Sequence, residues 1–398
     1  MNTTFRLICV SLFILTLLST CNLFEKKQEQ PVVNDDVETE VPVVIPDSKE
    51  EKWEEVASIV KPEPAYKLIW NEEKIKFHIE PRFGIVESFQ DKLAYVKYQE
   101  RKEVREGYID IEGKLVIPTN YDYPNYSFQY GLARVVKNNK TGFIGKDGKI
   151  AIPLQFQEAG NFTDVITWFK SNGKYGFIDM KGKVIIEPIY DLVESFQEGL
   201  ACVSQHGKFG YINEKGLLLI SLHFQEASSF REGLAAVKHS GKYFFINIYG
   251  KRAIQNSFDF ANSFSEGLAR VRVGGKYGYI NKKGEWIVKP ELEQMYHDAF
   301  YFKEGRAVFM KGEKYGYLDR AGKVIIEAKY DFADSFSEDL AVVAVNNKVG
   351  YINRFGDYVV KPQFENGESF SEGFAAVKKA GLYGFIRKED IAKEVVVK

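Results

Sequence analysis

A glycine followed by an aromatic residue and then Ile or Leu recurs along this chain at Gly107, Gly142, Gly176, Gly210, Gly278, Gly316, Gly350 and Gly384. Phe244 fills the slot between Gly210 and Gly278, so the spacings are 35, 34, 34, 34, 34, 38, 34 and 34 residues. A second marker keeps the same phase: Ser88-Phe89, Ser127-Phe128, Asn161-Phe162, Ser195-Phe196, Ser229-Phe230, Ser263-Phe264, Tyr301-Phe302, Ser335-Phe336 and Ser369-Phe370. A fixed period of this length means a tandem array, in which each unit buries its apolar face only against its neighbours. Length therefore does not translate into independent domains, although 398 residues would otherwise suggest two or three.

Each unit reads as about three short antiparallel strands. The first is a Leu-Ala-x-Val run, as in Leu268 to Val273, and Gly274-Gly275 then supplies a tight turn. The second strand is Lys276 to Asn281, and an Asx-x-x-Gly turn such as Asp179 to Gly182 or Asn353 to Gly356 leads into the third. That third strand, Val184-Ile185-Ile186 for example, is expected to stop at a proline: Pro81, Pro118, Pro153, Pro188, Pro290 or Pro362. A linker through Tyr190-Asp191 or Tyr330-Asp331 then reaches the next unit. Alternation puts Tyr175 and Phe177 on one face and Gly176 with Ile178 on the other. A glycine in mid-strand suggests that something bulky, such as a Phe from the adjoining unit, covers the bare backbone. The many aromatics, 31 Phe and 23 Tyr, then serve mainly to join one unit to the next.

The expected fold is all-β, with about nine repeats over residues 65–398 and atypical units at both ends as caps. Leu68 to Pro81 reads as a degraded copy of strands two and three, and Ile391 to Val397 as a last third strand. Conventional propeller blades use four strands and about 40 residues or more, which favours an open, superhelical, solenoid-like array here. A closed propeller-like ring is the alternative.

The N-terminal segment is of another kind. Residues 1–20 carry one early charge, Arg6, then an apolar run from Leu7 to Leu18 too short to span a bilayer comfortably, which reads as a signal peptide. It ends in Leu18-Ser19-Thr20-Cys21, which resembles the bacterial lipobox and makes Cys21 the candidate lipidation residue; Thr20 is bulkier than the usual Gly or Ala. Residues 21–64 then form an acidic, proline-rich tether. Within it, residues 25–64 hold 12 acids against 5 bases, while residues 65–398 hold 43 against 48. The chain as a whole is nearly neutral at −1. The mildly basic body lacks the concentrated stripe of a nucleic-acid binder.

The repeated stretches Lys174-Tyr175-Gly176-Phe177-Ile178-Asp179, Gly182-Lys183-Val184-Ile185-Ile186, Pro188-Ile189-Tyr190-Asp191 and Ser195 to Ala201 resemble the WG (KWG) β-repeat family of bacterial proteins. The family's namesake Trp is replaced in every copy, but an aromatic stands in that slot at Tyr175, Phe209, Tyr243, Tyr277, Tyr315 and Tyr383, which are the candidate binding residues. The resemblance implies repeat architecture and frequent export, with no catalytic signature.

The remaining chemistry points the same way. His78, His206, His223, His239 and His297 occupy no common repeat position and show no HxxxH or HExxH spacing. Cys202 is the one cysteine of the repeat body, at a strand position that is Arg134, Ala236, Arg270, Val342 or Ala376 elsewhere. A near-periodic acid runs through Asp91, Asp164, Glu198, Glu232, Glu266, Glu304, Glu338 and Glu372, broken by Tyr130. Its simplest role is a solvated turn residue, since no Asp-x-Asp-x-Asp motif supplies a Ca²⁺ cage. No catalytic residue, metal site or cofactor is expected. The function expected is a membrane-anchored, extracytoplasmic binding or display scaffold for a protein or glycan in the cell envelope, monomeric, with no nucleic-acid partner. A purely structural envelope spacer is the alternative. An enzyme site would have to lie where the repeat is irregular, at Glu291–Arg306 or Thr163–Phe169.

Overall fold

A computed structural model describes residues 67–70, 75–122, 127–292 and 301–395. The signal peptide, Cys21 and the acidic tether lie outside them. The repeat body is all-β as expected, and its repeats close into a nine-bladed, propeller-like ring, so the open array is corrected to its alternative.

Each complete blade has four strands and not three. In the fourth blade they are Leu192–Val193, Leu200–Gln205, Lys208–Asn213 and Leu218–Phe224, paired antiparallel in chain order. The stretch read as a linker is the first of these strands. It is only two residues long, followed by a single bridge between Gln197 and Leu200. Two-residue turns at both ends leave room for four strands within 34 residues. The turn between the first and second strands is tight here: Glu198 and Gly199 both have positive φ (53° and 76°), the conformation that suits a two-residue hairpin.

The chain runs from the outermost strand of one blade to the innermost strand of the next. Innermost strands touch their neighbours in sequence around the centre: Ser229 donates to Glu194 of the preceding blade, and Ser263 Oγ lies 3.2 Å from Ser228 Oγ. One rim of the ring carries the turns between strands one and two and between strands three and four. The opposite rim carries the turns between strands two and three and the connections from blade to blade.

Closure is made by the N-terminal end of the body. Ile79–Phe83 pairs with Leu382–Arg387 and becomes the outermost strand of the last blade, whose other strands are Asn366–Gly367 and Phe374–Lys379. Of the segment expected to be a degraded cap, Leu68 to Pro81, the end from Ile79 onward is thus part of the ninth blade's outer strand. The C-terminal segment makes a short helical turn at Lys388–Ile391 and then pairs, as Ala392–Val395, with Lys67–Trp70. It does not supply the last blade's outer strand. In a ring both terminal units have neighbours, so neither needs a cap.

The core lies between blades. One aromatic from the third strand of each blade meets the marker Phe of the next at a centroid distance of 4.7–5.2 Å: Tyr108–Phe128, Phe143–Phe162, Phe177–Phe196, Tyr211–Phe230, Phe245–Phe264, Tyr279–Phe302, Tyr317–Phe336 and Tyr351–Phe370. Phe385–Phe89, at 4.9 Å, completes the circle across the closure. These edge-on and tilted pairs match the ring quadrupole preference. The glycine of the turn between strands three and four adds to eight of the nine joints: Gly182 (φ +76°) packs on Ile152 of the preceding blade, and Gly113 (φ +81°) packs in the same way on Ile79 across the closure. A Cβ on Gly182 would stand 2.7 Å from the Ile152 side chain, so only glycine fits.

Two local expectations are corrected. The mid-strand glycine is not covered by a neighbouring aromatic: a Cβ on Gly176 would lie 2.4 Å from the Ile186 carbonyl oxygen and 2.7 Å from the Pro188 nitrogen, both in the outermost strand of its own blade. A bulge brings that backbone in, because Tyr175 faces Tyr190 while Phe177 faces Ile186. Nor, outside the first blade, does the proline end the strand: Leu115–Pro118 stops there, but Val184–Tyr190 runs through Pro188. Proline is tolerated there because the strand is an edge with a bulge. In the blade where Phe244 replaces the glycine, Arg252 reaches the carbonyls of Ile254, Gln255 and Asn256, and its guanidinium lies 4.6 Å from the Phe244 centroid.

Candidate functional site

The near-periodic acids sit in the turns between strands one and two, and all but Asp164 reach forward to the corresponding turn of the next blade. Glu198 accepts from the backbone N–H groups of Glu232 (2.5 Å) and Gly233 (2.9 Å), and Glu304 from those of Glu338 (2.7 Å) and Asp339 (2.9 Å). Glu232 holds Gly267, Glu266 holds Gly305, Glu338 holds Gly373 and Asp91 holds Gly131. Glu372 closes the series on Asp91 (2.9 Å) and Lys92 (2.7 Å). Left-handed turn residues point successive N–H groups outward as a small anion nest, which a carboxylate fills. Basic residues from the Asx turns add ion pairs at several joints: Lys146 to Asp91, Lys282 to Glu232, Arg320 to Glu266 and Arg354 to Glu304. The acid row therefore joins blades. Tyr130 cannot take part, and Asp164 bonds to the adjacent Val165 N–H instead.

The opposite rim carries the candidate aromatics. Tyr175 faces Lys170, whose ammonium lies 5.1 Å from the ring centroid and 2.9 Å from Glu158. The same set recurs two blades on: Tyr243 faces Lys238 (5.3 Å), Lys238 pairs with Glu226 (2.6 Å), and Tyr243 donates its hydroxyl to Glu226. Burial and that hydrogen bond push the Tyr243 phenol above its usual range. Tyr277 lies beneath Arg270 (4.8 Å) and Arg272 (5.7 Å), and Tyr383 beneath Lys378 (5.4 Å), with Asn366 donating to the Tyr383 hydroxyl. The second strand thus supplies a cation and the third an aromatic, while the first supplies an acid at Tyr175 and Tyr243, an amide at Tyr383 and the Phe260 ring at Tyr277. Phe209 and Tyr315 differ: Phe209 packs in an apolar cluster with Phe224, and Tyr315 lies 6.4 Å from Phe332. The six residues do not converge on one pocket. Four of them repeat an aromatic–cation pair around the rim, and two of these, Tyr175 and Tyr243, add an acid.

A third group was not anticipated. The residue two before the marker Phe lies on the inner wall and is Glu87, Glu194, Asp334 or Glu368 in different blades. Ser88 donates to Glu368 (2.9 Å) and Ser369 to Asp334 (3.2 Å), so three acids in consecutive blades stand in one arc through the closure. Burial, and then the charge of Glu368, raise Glu87 from 4.5 to about 7, and burial raises Glu368 too. The acids occupy one repeat position, but their irregular recurrence hides them from period analysis.

Cys202 is buried between blades with its thiol directed at the Ala227 carbonyl, 3.6 Å away. Arg134, at the same repeat position, bonds to the equivalent carbonyl of Ala159. Thr163–Phe169 spans the first turn and the start of the second strand, Ile166–Ser171, with no added residue; Thr167 is buried in that strand, pairs with Ile178 and bonds to the Asn161 carbonyl. Residues 293–300, the centre of the other irregular unit and the location of His297, lie outside the described residues. Among the described residues, no group of three or more His, Cys, Asp or Glu is arranged to hold a metal ion. No helix there is long and apolar enough to cross a membrane.

A family model described as "WG containing repeat" matches residues 107–140, 142–175, 175–209, 209–243, 245–277, 277–315, 315–348 and 350–383. No curated protein matches the chain. Among solved structures, one titled as the eukaryotic initiation factor is similar with a TM-score of 0.54 at 12% identity, covering 77% of this chain and 97% of that one. BamB from Moraxella catarrhalis (TM-score 0.36, 10% identity, 80% and 95% covered) and the dihydro-heme d1 dehydrogenase NirN (0.40, 13%, 70% and 75%) are more distant. At these identities the first likeness speaks for the fold alone.

Proposed function

Since this chain belongs to the WG-repeat family and closes its repeats into a ring, we propose that it is a non-enzymatic scaffold, held at a membrane by a lipid on Cys21, that presents the ring outside the cytoplasm to a protein or glycan of the cell envelope. The observation that carries this reading is the recurrence of an aromatic–cation pair on a single rim, at Tyr175, Tyr243, Tyr277 and Tyr383, joined by an acid at Tyr175 and Tyr243. Aromatic faces and charged side chains repeated along one rim suit an extended polymer, because several weak contacts act together once one end is bound. The tether of residues 21–64, self-repelling and proline-rich, suits a body carried clear of a bilayer.

Binding of size-fractionated envelope glycans to the purified chain tests the reading. Saturable binding that weakens by more than about tenfold, equivalent to 1.4 kcal/mol, in the triple variant Tyr175→Ala, Tyr243→Ala and Tyr383→Ala supports it. Absence of saturable binding removes it. Labelling with a fatty-acid analogue, lost in Cys21→Ala, tests the anchor separately. The spacer alternative draws support from the internal bonding of the same groups, and it predicts an altered envelope on deletion with no ligand.

A further inference from the structure

The outermost strand of every blade is a sheet edge. Side chains cover some of its carbonyls, Arg252 in the fifth blade and His223 Nδ1 on Ser221 (2.9 Å) in the fourth, and the remainder of such an edge is a template for pairing with another chain. Natural proteins guard such edges with proline or charge. Six blades carry proline in this strand: Pro81, Pro118, Pro153, Pro188, Pro290 and Pro362. Of the other three, the fifth blade has Arg252, and the seventh has Glu327 with Lys329. The fourth blade has neither: its strand is Leu218-Leu219-Ile220-Ser221-Leu222-His223-Phe224.

The position entering the strand makes the same point. It is Lys76, Lys114, Lys149, Lys183, Lys251, Glu285, Lys323 or Asp357 in the other eight blades, and Leu217 here. Leu217, Leu218 and Leu219 are 58%, 48% and 54% exposed. Beside them stands the Asx turn of the fifth blade, whose Gly250 packs on Ile220 and which carries Ile248 and Tyr249, the latter 71% exposed. Two neighbouring blades have therefore lost their surface charge at one place. A contiguous exposed apolar patch on an unguarded edge marks an interaction surface.

We propose that this edge pairs antiparallel with the same strand of a second copy of the chain, joining two rings about a two-fold axis. Three observations favour a second copy. Self-pairing in this orientation sets no like charges opposite one another, since the strand has no charged residue and burial keeps His223 neutral. Each ring offers one unguarded edge among nine, so pairing stops at two and builds no fibre. The patch is self-matching, because the apolar turn of the fifth blade flanks the strand in both copies. The monomer expected from the sequence gives way to a dimer at high concentration.

The test is the mass of the full Cys21→Ala chain by sedimentation equilibrium, between about 1 and about 200 µM, which brackets the affinity of a small interface, roughly 1,200 Å² or less. The expected result is a reversible monomer–dimer equilibrium. Leu217→Lys with Leu222→Pro restores the guards that the third blade carries at Lys183 and Pro188, and should raise the dimer Kd by at least about tenfold, a loss of 1.4 kcal/mol. Ala328→Pro, the matching change in the seventh blade, should leave the Kd unchanged. A chain monomeric throughout this range, or a double variant that is folded by circular dichroism and dimerises as before, overturns the proposal.

Discussion

Phe89→Ala tests ring closure directly. Phe89 is fully buried, with its centroid 4.9 Å from Phe374 and 4.9 Å from Phe385, both contributed by the last blade. Removing such a side chain costs about 3–5 kcal/mol. Two aromatic contacts at about 0.5–1.5 kcal/mol each account for part of that. Phe230 is the internal control: it is equally buried and lies 4.7 Å from Tyr211 of the preceding blade. In a ring the two substitutions cost the same, because both joints are internal. In an open array Phe89 would sit on a terminal face without Phe374 or Phe385, and its loss would fall to about 1 kcal/mol, as for a partly exposed residue. Urea unfolding followed by far-ultraviolet circular dichroism measures both, with equal slopes required for the comparison. A loss below about 1 kcal/mol for Phe89→Ala, beside 3 kcal/mol or more for Phe230→Ala, would refute closure.

Glu87 predicts a pH dependence. In the folded ring it holds its proton up to about 7, and in the unfolded chain it releases it near 4.5. Between those values the folded state binds more protons, so stability falls as pH rises and levels off above about 7. The groups around this carboxyl are Glu368 across the joint and Ser88, Tyr95 and Tyr108 of its own blade, none of them cationic, and Glu368 adds to the slope in the same sense. Unfolding midpoints from pH 4 to 8 should show a smaller slope in Glu87→Gln and almost none when Glu368→Gln is added; an unchanged slope would discard the assignment. Gly176→Val should cost more than about 2 kcal/mol, since its side chain would enter the Ile186 carbonyl, whereas Phe244→Gly should cost under about 1 kcal/mol; equal losses in thermal melts would count against the bulge explanation. Burial pushes the Cys202 thiol far up, so a thiol reagent should label the folded chain more than about a hundredfold more slowly than the urea-unfolded chain. Rapid labelling of the native protein would contradict that placement.

Much of the architecture could be read from residue types. The marker Phe, the Leu-Ala-x-Val strand and the Asx-x-x-Gly turn each state a local preference, and all lie where the pattern puts them. Whether the units close depends on the rotation between successive blades, a sum of small backbone twists that no residue type declares. Its one trace was at Ile79–Phe83, an outer strand with no inner strands of its own before it. The glycine at position 176 was correctly read as a close approach, but alternation gives only a face, and the intruder proved to be bulged backbone. The acid row was visible, while the groups it holds were not, because each partner N–H belongs to the next repeat. The inner-wall acids escaped for the opposite reason. They stand in only some of the blades, so their shared position emerges only when the innermost strands are brought around one axis.

The hydrogen bond from Ser88 to Glu368 spans 280 residues, whereas the equivalent one from Ser229 to Glu194 spans 35. Lengthening a loop eightfold costs only about 1.8 kcal/mol in chain entropy, so the final joint is cheap once both its sides exist. It must nevertheless form late, after the whole series of blades has been made. A linear stack can fray inward from either extremity, one unit at a time. A circle has no extremity, and the first blade to leave must break two joints at once, which turns a row of loosely coupled modules into a body that melts as one.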